Sequence, residues 1–171
     1  TLSLSREYDV IIRCTGFNWL HTELFAEDIR PASWYRGKFP ALSPVWESSN
    51  VPDLFFVGGA MQGNDRKAAS GFIHGFRYNI RTLHKILEER YEGSAYPAET
   101  LTPFDWQSFV DWMYQRFSVS AGLFQLFGVL CDTLVISEDL KSATRRLELP
   151  FEHARSLDYG SQHVLFLTLK F

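Results

Sequence analysis

Nowhere does this sequence spell G-x-G-x-x-G, so the glycine turn that cradles a dinucleotide pyrophosphate is absent from these residues. Cysteine is scarce. Cys14 and Cys131 form no C-x-x-C pair and no zinc-type spacing, which excludes a dithiol redox motif and a cysteine zinc site within the chain. Both are expected to be buried free thiols, with a disulfide between them left open. Neither has basic neighbours arranged to activate it, apart from Arg13. No apolar run reaches the length of a membrane span. The longest, Gly128 to Ile136, is interrupted by Cys131-Asp132-Thr133. Asn18, Asn50, Asn64 and Asn79 all fail the N-x-Ser/Thr pattern. Positive charge is not in excess: 17 Lys and Arg against 20 Asp and Glu leave a net charge of −3, which gives no electrostatic basis for nucleic-acid binding. The opening TLSLSREYDV has no basic segment ahead of an apolar one. With no initiating Met and a strand-like VLFLTLKF at its end, the chain reads as a portion of a longer protein.

Apolar and aromatic side chains are plentiful. Hydrophobic residues make up 46 % of the 171 residues, with 15 Phe, 7 Tyr and 5 Trp, which argues for an ordered core and for one or two domains. The chain is organised around residues 53–89. Leu54-Phe55-Phe56-Val57 reads as a strand buried on both faces. It breaks at Gly58-Gly59, and a polar loop follows through Asp65-Arg66-Lys67, more readily a solvated loop than a recognition site. From Gly71 onward Phe72, Ile73, Phe76, Ile80, Leu83 and Leu87 recur at spacings of three and four, one face of an amphipathic helix. A strand, glycines, a loop and a helix start are where an α/β sheet places an anionic ligand, because the helix N-terminus offers unpaired N–H groups and partial positive charge.

Around this stretch the chain reads simply. Tyr8–Cys14 is β-rich and ends at Thr15-Gly16. Residues 18–52, with four prolines, predict a long irregular excursion. Trp19, Trp34, Tyr35, Phe39 and Trp46 are expected to pin it by core packing, in preference to stacking on a ligand. Gly93 is expected just past the helix end, and 94–102 reads as a linker. Thr102-Pro103-Phe104-Asp105 predicts a helix start with Thr102 as cap. Trp106, Phe109, Val110, Met113 and Phe117 form its stripe. Thr133–Ile136 and the alternation from Val164 to Phe171 predict strands, while Leu140–Leu149 is ambiguous and stops at Pro150.

The phrases RCTGF, WESSNVPDLFF and SGFIHGFRYNIR resemble the C-terminal part of the FAD-binding domain of flavin-containing-monooxygenase-like proteins, within the pyridine nucleotide-disulfide oxidoreductase superfamily. They are most similar to its branch in the endoplasmic reticulum associated with degradation. The resemblance covers residues 8–91 and, more weakly, 118–136. It implies an α/β fold: residues 1–93 as the incomplete Rossmann-like FAD domain of a flavoprotein with two dinucleotide-binding domains, 94–102 as a linker, and 103–171 as a smaller α+β unit. It further implies FAD as cofactor, NAD(P)H as electron donor, residence in the lumen of the endoplasmic reticulum, and protein partners in the degradation machinery there. Carried onto this chain, the cofactor-binding residues are Thr15, Gly16, Gly58, Gly59, Asp65, Gly71, Phe72, Ile73 and His74, with no catalytic residue assigned and no metal.

The chemistry fits in outline. A flavin site needs close backbone approach, which Gly16, Gly58 and Gly59 suit. It also needs donors and positive potential where charge grows on reduction, which a helix start at Gly71-Phe72-Ile73 suits. Related reductases place Asp directly after Gly, whereas here Ala60 follows Gly59, so Asp65 is the substitute assignment. His74 reads either as a proton-exchanging group or, preferably, as a helix-start histidine bonded to a neighbouring loop. Arg77 is expected in an ion pair in preference to a phosphate contact. Without the pyrophosphate turn, the chain alone is expected to carry half a flavin site and not to retain FAD. The competing expectation is a flavin-fold scaffold whose second unit, through Trp106, Trp112, Phe124 and Phe127, binds non-native or partner proteins without turnover.

Overall fold

The computed structural model describes residues 8–171, and ahead of Ile73 it holds only short elements. Single 3-10 turns at Thr22–Leu24 and Glu27–Ile29 precede a small hairpin of β1 (Ser33–Trp34) and β2 (Phe39–Pro40). The excursion expected from the prolines is therefore present, but fewer aromatics anchor it than composition suggests. Trp46 is fully buried and Phe39 nearly so, while Trp19, Trp34 and Tyr35 remain partly open.

Two expected strands do not form. Tyr8–Cys14 joins no ladder and its apolar side chains lie open, Ile12 being 82 % exposed. Leu54–Val57 makes one isolated bridge, Glu47 to Phe55, and Val57 is 56 % exposed. A doubly buried strand takes its hydrogen bonds from strands on both sides. Without them a β-rich composition gives extended chain and no ladder.

Helix α1 (Ile73–Leu87) follows the spacing. It passes through a π-turn at Glu88–Glu92 into Gly93, whose φ of +67° ends it as expected. Its buried face is rotated from the expected one: Leu83 is buried and Phe76 and Leu87 pack on the core as the spacing predicts. Phe72 and Ile73 are exposed, whereas Gly75, Tyr78, Asn79, Thr82, Leu83 and Ile86 are buried. The two polar residues can enter because each finds a partner. Asn79 Nδ2 donates to Ser70 Oγ at 3.2 Å, and Thr82 Oγ1 donates to the Glu148 carbonyl at 2.7 Å. Gly75 lets the preceding loop close on the helix, since a Cβ there would fall on the Ala69 carbonyl.

The second half is an antiparallel sheet in the order β3-β5-β4-β6, formed by Ala98–Leu101, Ala143–Pro150, Leu130–Ile136 and His163–Leu167 respectively. The expected linker thus contains strand β3. Cross-strand contacts override its polar composition: Arg145 Nε donates to Glu99 Oε2 at 2.7 Å, and Leu101 packs on the cluster of Leu134, Ile136 and Ala143. The ambiguous segment becomes β5, ended by Pro150 ahead of α4 (Phe151–Ser156). Helix α2 (Trp106–Val119) is capped by Asp105, which accepts from Ser108 N at 2.8 Å, and not by Thr102. The start moves because the Phe104 N–H is still bonded to the Lys141 carbonyl, at 2.8 Å. Helix α3 (Ala121–Gln125) then leads into β4.

One apolar cluster joins the two halves: Trp46, Met61, Tyr78 and Leu83 pack with Leu123, Leu126 and Leu130. Each fully buried leucine there contributes roughly 1.5–3 kcal/mol. In the sheet centre β4 and β5 slip register, so that Leu147 and Glu148 together face Asp132, with Glu148 at φ +60°. The Asp132 carboxylate fills that bulge, accepting from Glu148 N and from Arg116 of α2.

Candidate functional site

Expected residues from two distant parts of the sequence meet at one hollow. Thr15 and Gly16 line one side, and Gly71 and Phe72, at the foot of α1, line another. The volume is about 460 Å³, inside the range of roughly 300–1,000 Å³ usual for small-molecule sites. Lys38 stitches the first wall. Its Nζ donates to the Thr15 carbonyl at 2.6 Å, and its own carbonyl accepts from Trp19 N at 2.8 Å. Gly16 sits at φ +79°, where a side chain would be strained. Gly71 is needed for closeness: a Cβ there would come within 2.7 Å of the Gln62 amide nitrogen, and Gln62 lines the same hollow.

Aromatic rings complete the walls, namely Phe17, Trp19, Tyr35 and Phe39. The Arg66 guanidinium lies 3.4 Å from the centre of the Tyr35 ring, a cation–π contact. It also holds the Tyr35 hydroxyl below the usual phenol range. Lys38 and Arg66 face the hollow and, among the described residues, no carboxylate lines it. Helix α1 starts without a side-chain cap, so its positive end adds to the same potential. The arrangement suits a planar ring system carrying or acquiring negative charge.

The other expected residues stand around this hollow without lining it. Gly58, at φ +69°, opens the 3-10 turn Gly58–Gly63. Gly59 is buried beneath the Trp19 indole. Asp65 is buried too, and both its oxygens serve its own loop. Oδ1 accepts from Lys67 N and Ala68 N, each at 2.9 Å, and Oδ2 accepts from Ser70 Oγ at 2.7 Å. It shapes the loop that delivers Gly71. Ile73 and His74 lie exposed on the far side of Phe72, where the His74 ring stacks on Phe72 at 5.5 Å between centroids and 9° between planes. Arg77 donates to the Tyr78 hydroxyl at 2.9 Å, in place of the expected ion pair.

The sequence singles out neither Lys38 nor Gln62, while Trp19 reads as a packing residue in preference to a stacking one and Arg66 as part of a solvated loop in preference to a recognition site. For Trp19 and Lys38 the available signal is the interleaving of cations and aromatics from Phe17 to Phe39, which also fits core packing. The cysteines are both free. Cys14 is exposed, against expectation, because its segment joins no sheet. Cys131 is buried, and burial pushes its thiol up to about 12, which leaves it unreactive near neutral pH. Among the described residues no cluster of three His, Cys, Asp or Glu is placed to hold a metal, and no helix is long and apolar enough to cross a membrane.

No protein-family model matches the chain, and no solved structure matches it. Two curated proteins do, both named FAD-dependent oxidoreductase domain-containing protein 2. The one from Danio rerio is 39 % identical over 137 residues, covering 78 % of this chain and 19 % of its own length. The one from Mus musculus is 32 % identical over 167 residues, covering 94 % of this chain and 24 % of its own length. The chain thus spans about a fifth to a quarter of the relatives it matches. On this similarity across most of its length, the chain belongs to the family of FAD-dependent oxidoreductase domain-containing protein 2.

Proposed function

We propose that this chain supplies part of the FAD site of an FAD-dependent oxidoreductase that draws electrons from NAD(P)H. The observation that carries the reading is the convergence of Thr15-Gly16 and Gly71-Phe72 on one aromatic hollow flanked by Lys38 and Arg66. The names of both relatives support it. Residues 1–93 then belong to a Rossmann-like FAD domain and 103–171 to an accessory unit, with β3 joining the accessory sheet. Bound FAD would supply hydride acceptance and onward electron transfer. The chain's own part is to hold the cofactor. Phe17, Trp19, Tyr35 and Phe72 would sandwich a planar ring, and the Gln62 amide offers a donor and an acceptor to its polar edge. Lys38 and Arg66 would face the negative charge that grows on reduction. The resemblance of SGFIHGFRYNIR supports residence in the lumen of the endoplasmic reticulum, with partners in the degradation machinery. The test is the flavin spectrum of the full-length protein, followed by anaerobic addition of NADPH. Bleaching of the flavin band supports the reading. Bound flavin that does not bleach removes NADPH as donor, and absence of flavin removes the site.

One observation favours a second reading, an interaction surface without turnover. Helix α2 has no fully buried residue and leaves Trp106, Tyr114 and Phe117, whose spacing puts them on one side of the helix, exposed to solvent; exposed apolar patches of this kind mark binding faces. Trp106→Ser/Tyr114→Ser would leave flavin reduction unchanged and abolish partner capture if this face binds proteins.

A further inference from the structure

Trp19, one of the aromatic walls of the hollow, rests directly on the backbone at Gly59. A Cβ built on Gly59 would lie 2.6 Å from both Cζ2 and Cζ3 of the indole, and closer still to Cη2 between them. Near-equal approach to three consecutive atoms means contact with the face of the ring, because approach within the ring plane would leave the two flanking atoms clearly farther away. Gly59 has no positive φ to require glycine; what requires it is this indole. Trp19 lines the hollow and Gly59 does not. With one face seated on Gly59, the indole shows the hollow its opposite face and rim. It is held there at both ends of the residue: Trp19 N donates to the Lys38 carbonyl at 2.8 Å, and the Phe17 ring packs against the indole at 5.5 Å. Even so, Trp19 remains 36 % exposed. A large, electron-rich ring fixed in depth and orientation, with surface to spare toward a cationic hollow, is a stacking platform prepared for a second ring.

We propose that Trp19 is the ring-stacking residue of this site: its free face takes the planar, electron-poor ring of the cofactor, and Gly59 sets the depth at which it does so. The inference rests on the flavin reading and adds to it a positioning residue and a pairing, Trp19 with Gly59, that no motif announces. An indole stacked on an oxidised flavin quenches its fluorescence, so the pairing has an optical signature separate from turnover.

The experiment uses the full-length protein with its flavin. Trp19→Leu is expected to retain flavin at near-wild-type stoichiometry and to raise the emission of the bound flavin severalfold. Equal emission from wild type and Trp19→Leu at equal flavin content overturns the stacking role while leaving the flavin reading intact. Wild-type protein without flavin overturns both. Where Trp19→Leu fails to fold, Gly59→Ala serves as the second variant. It is expected to displace the indole and to raise emission in the same direction, and unchanged emission from its bound flavin overturns the proposal. The pairing itself is read by thermal melting. Gly59→Ala is expected to lower Tm in the wild-type background and to have little effect in Trp19→Ala, where the added methyl meets no ring. An equal drop in both backgrounds overturns the contact.

Discussion

Asp132→Ala is the severest single change the sheet offers. The Asp132 side chain has no solvent exposure. Its Oδ2 accepts from Arg116 Nε at 2.7 Å, and its Oδ1 accepts from Arg116 Nη2 at 3.2 Å and from Glu148 N at 2.8 Å. Removing the carboxylate strands a largely buried guanidinium, at about 3–5 kcal/mol for a broken buried pair. It also orphans a buried N–H, at about 1–3 kcal/mol. The two do not simply add, because Glu148 Oε1, 3.9 Å from Arg116 Nη2, can close on the freed cation. A net loss of about 4 kcal/mol is expected, a fall in Tm of about 8–16 °C at roughly 2–4 °C per kcal/mol for a chain of this size. Asp132→Asn keeps an acceptor for Glu148 N and should lose about half as much. Replacing both partners, Arg116→Met with Asp132→Leu, removes the stranded cation but still leaves the Glu148 N–H without its acceptor, so it should recover stability relative to Asp132→Ala and stay about 1–3 kcal/mol below wild type. Urea unfolding followed by tryptophan fluorescence gives the values, read as a shift in midpoint at constant slope. A loss under about 1 kcal/mol for Asp132→Ala, or a double variant less stable than that single variant, would refute the reasoning.

The remaining predictions concern glycine, sulfur, alkali and flavin. Gly75→Ala should lower Tm although alanine is the better helix former by about 1 kcal/mol, because its Cβ would fall on the Ala69 carbonyl; a rise in Tm would show that the loop does not sit there. A thiol reagent should titrate one cysteine in the native chain, the exposed Cys14, and two after unfolding; a native count of zero would indicate a disulfide. Burial raises the Cys131 thiol from 9.0 to about 12, and it also raises the Tyr96 hydroxyl above its usual range. In both groups the folded state holds its proton longer than the unfolded state does. Their contribution is complete below about pH 9 and is lost as pH rises above it, by up to about 1.4 kcal/mol per pH unit for the thiol. Cys131→Ala should flatten the decline in unfolding midpoint between pH 9 and 11, and an unchanged slope would remove the thiol as its source. The 171-residue chain expressed alone should show no flavin absorbance band, and a stoichiometric yellow preparation would contradict the half-site reading.

Helix α1 and its end at Gly93 were legible because helical spacing and a terminal glycine are local signals. Its buried face was legible only in part. Asn79 and Thr82 enter the core only because Ser70 and the Glu148 carbonyl meet them, the latter 66 residues away, and hydropathy cannot register a distant partner. Strands divided along the same line. The first half of the alternation from Val164 to Phe171 became β6, which ends at Leu167, whereas Tyr8–Cys14 and Leu54–Val57 had strand composition but, among the described residues, no flanking strands to pair with. At the site, the backbone elements Thr15, Gly16, Gly71 and Phe72 were visible as turn and helix-start chemistry. The side chains that give the hollow its character were not. Arg66 reads as a solvated loop residue until the fold lays it over Tyr35, and Lys38 carries no local signal of the contact its Nζ makes with Thr15. Asp65 shows the converse: a carboxylate suited to a ligand is spent on Lys67, Ala68 and Ser70.

The most direct measurement of the central claim is the flavin content of the full-length protein with the two cations of the hollow reversed, Lys38→Glu with Arg66→Glu, beside wild type. Circular dichroism confirms that both are folded. If this hollow holds the cofactor, the wild-type protein carries flavin and the folded variant loses most of it. Equal flavin in the two would place the cofactor elsewhere and contradict the assignment of Thr15, Gly16, Gly71 and Phe72 to its site.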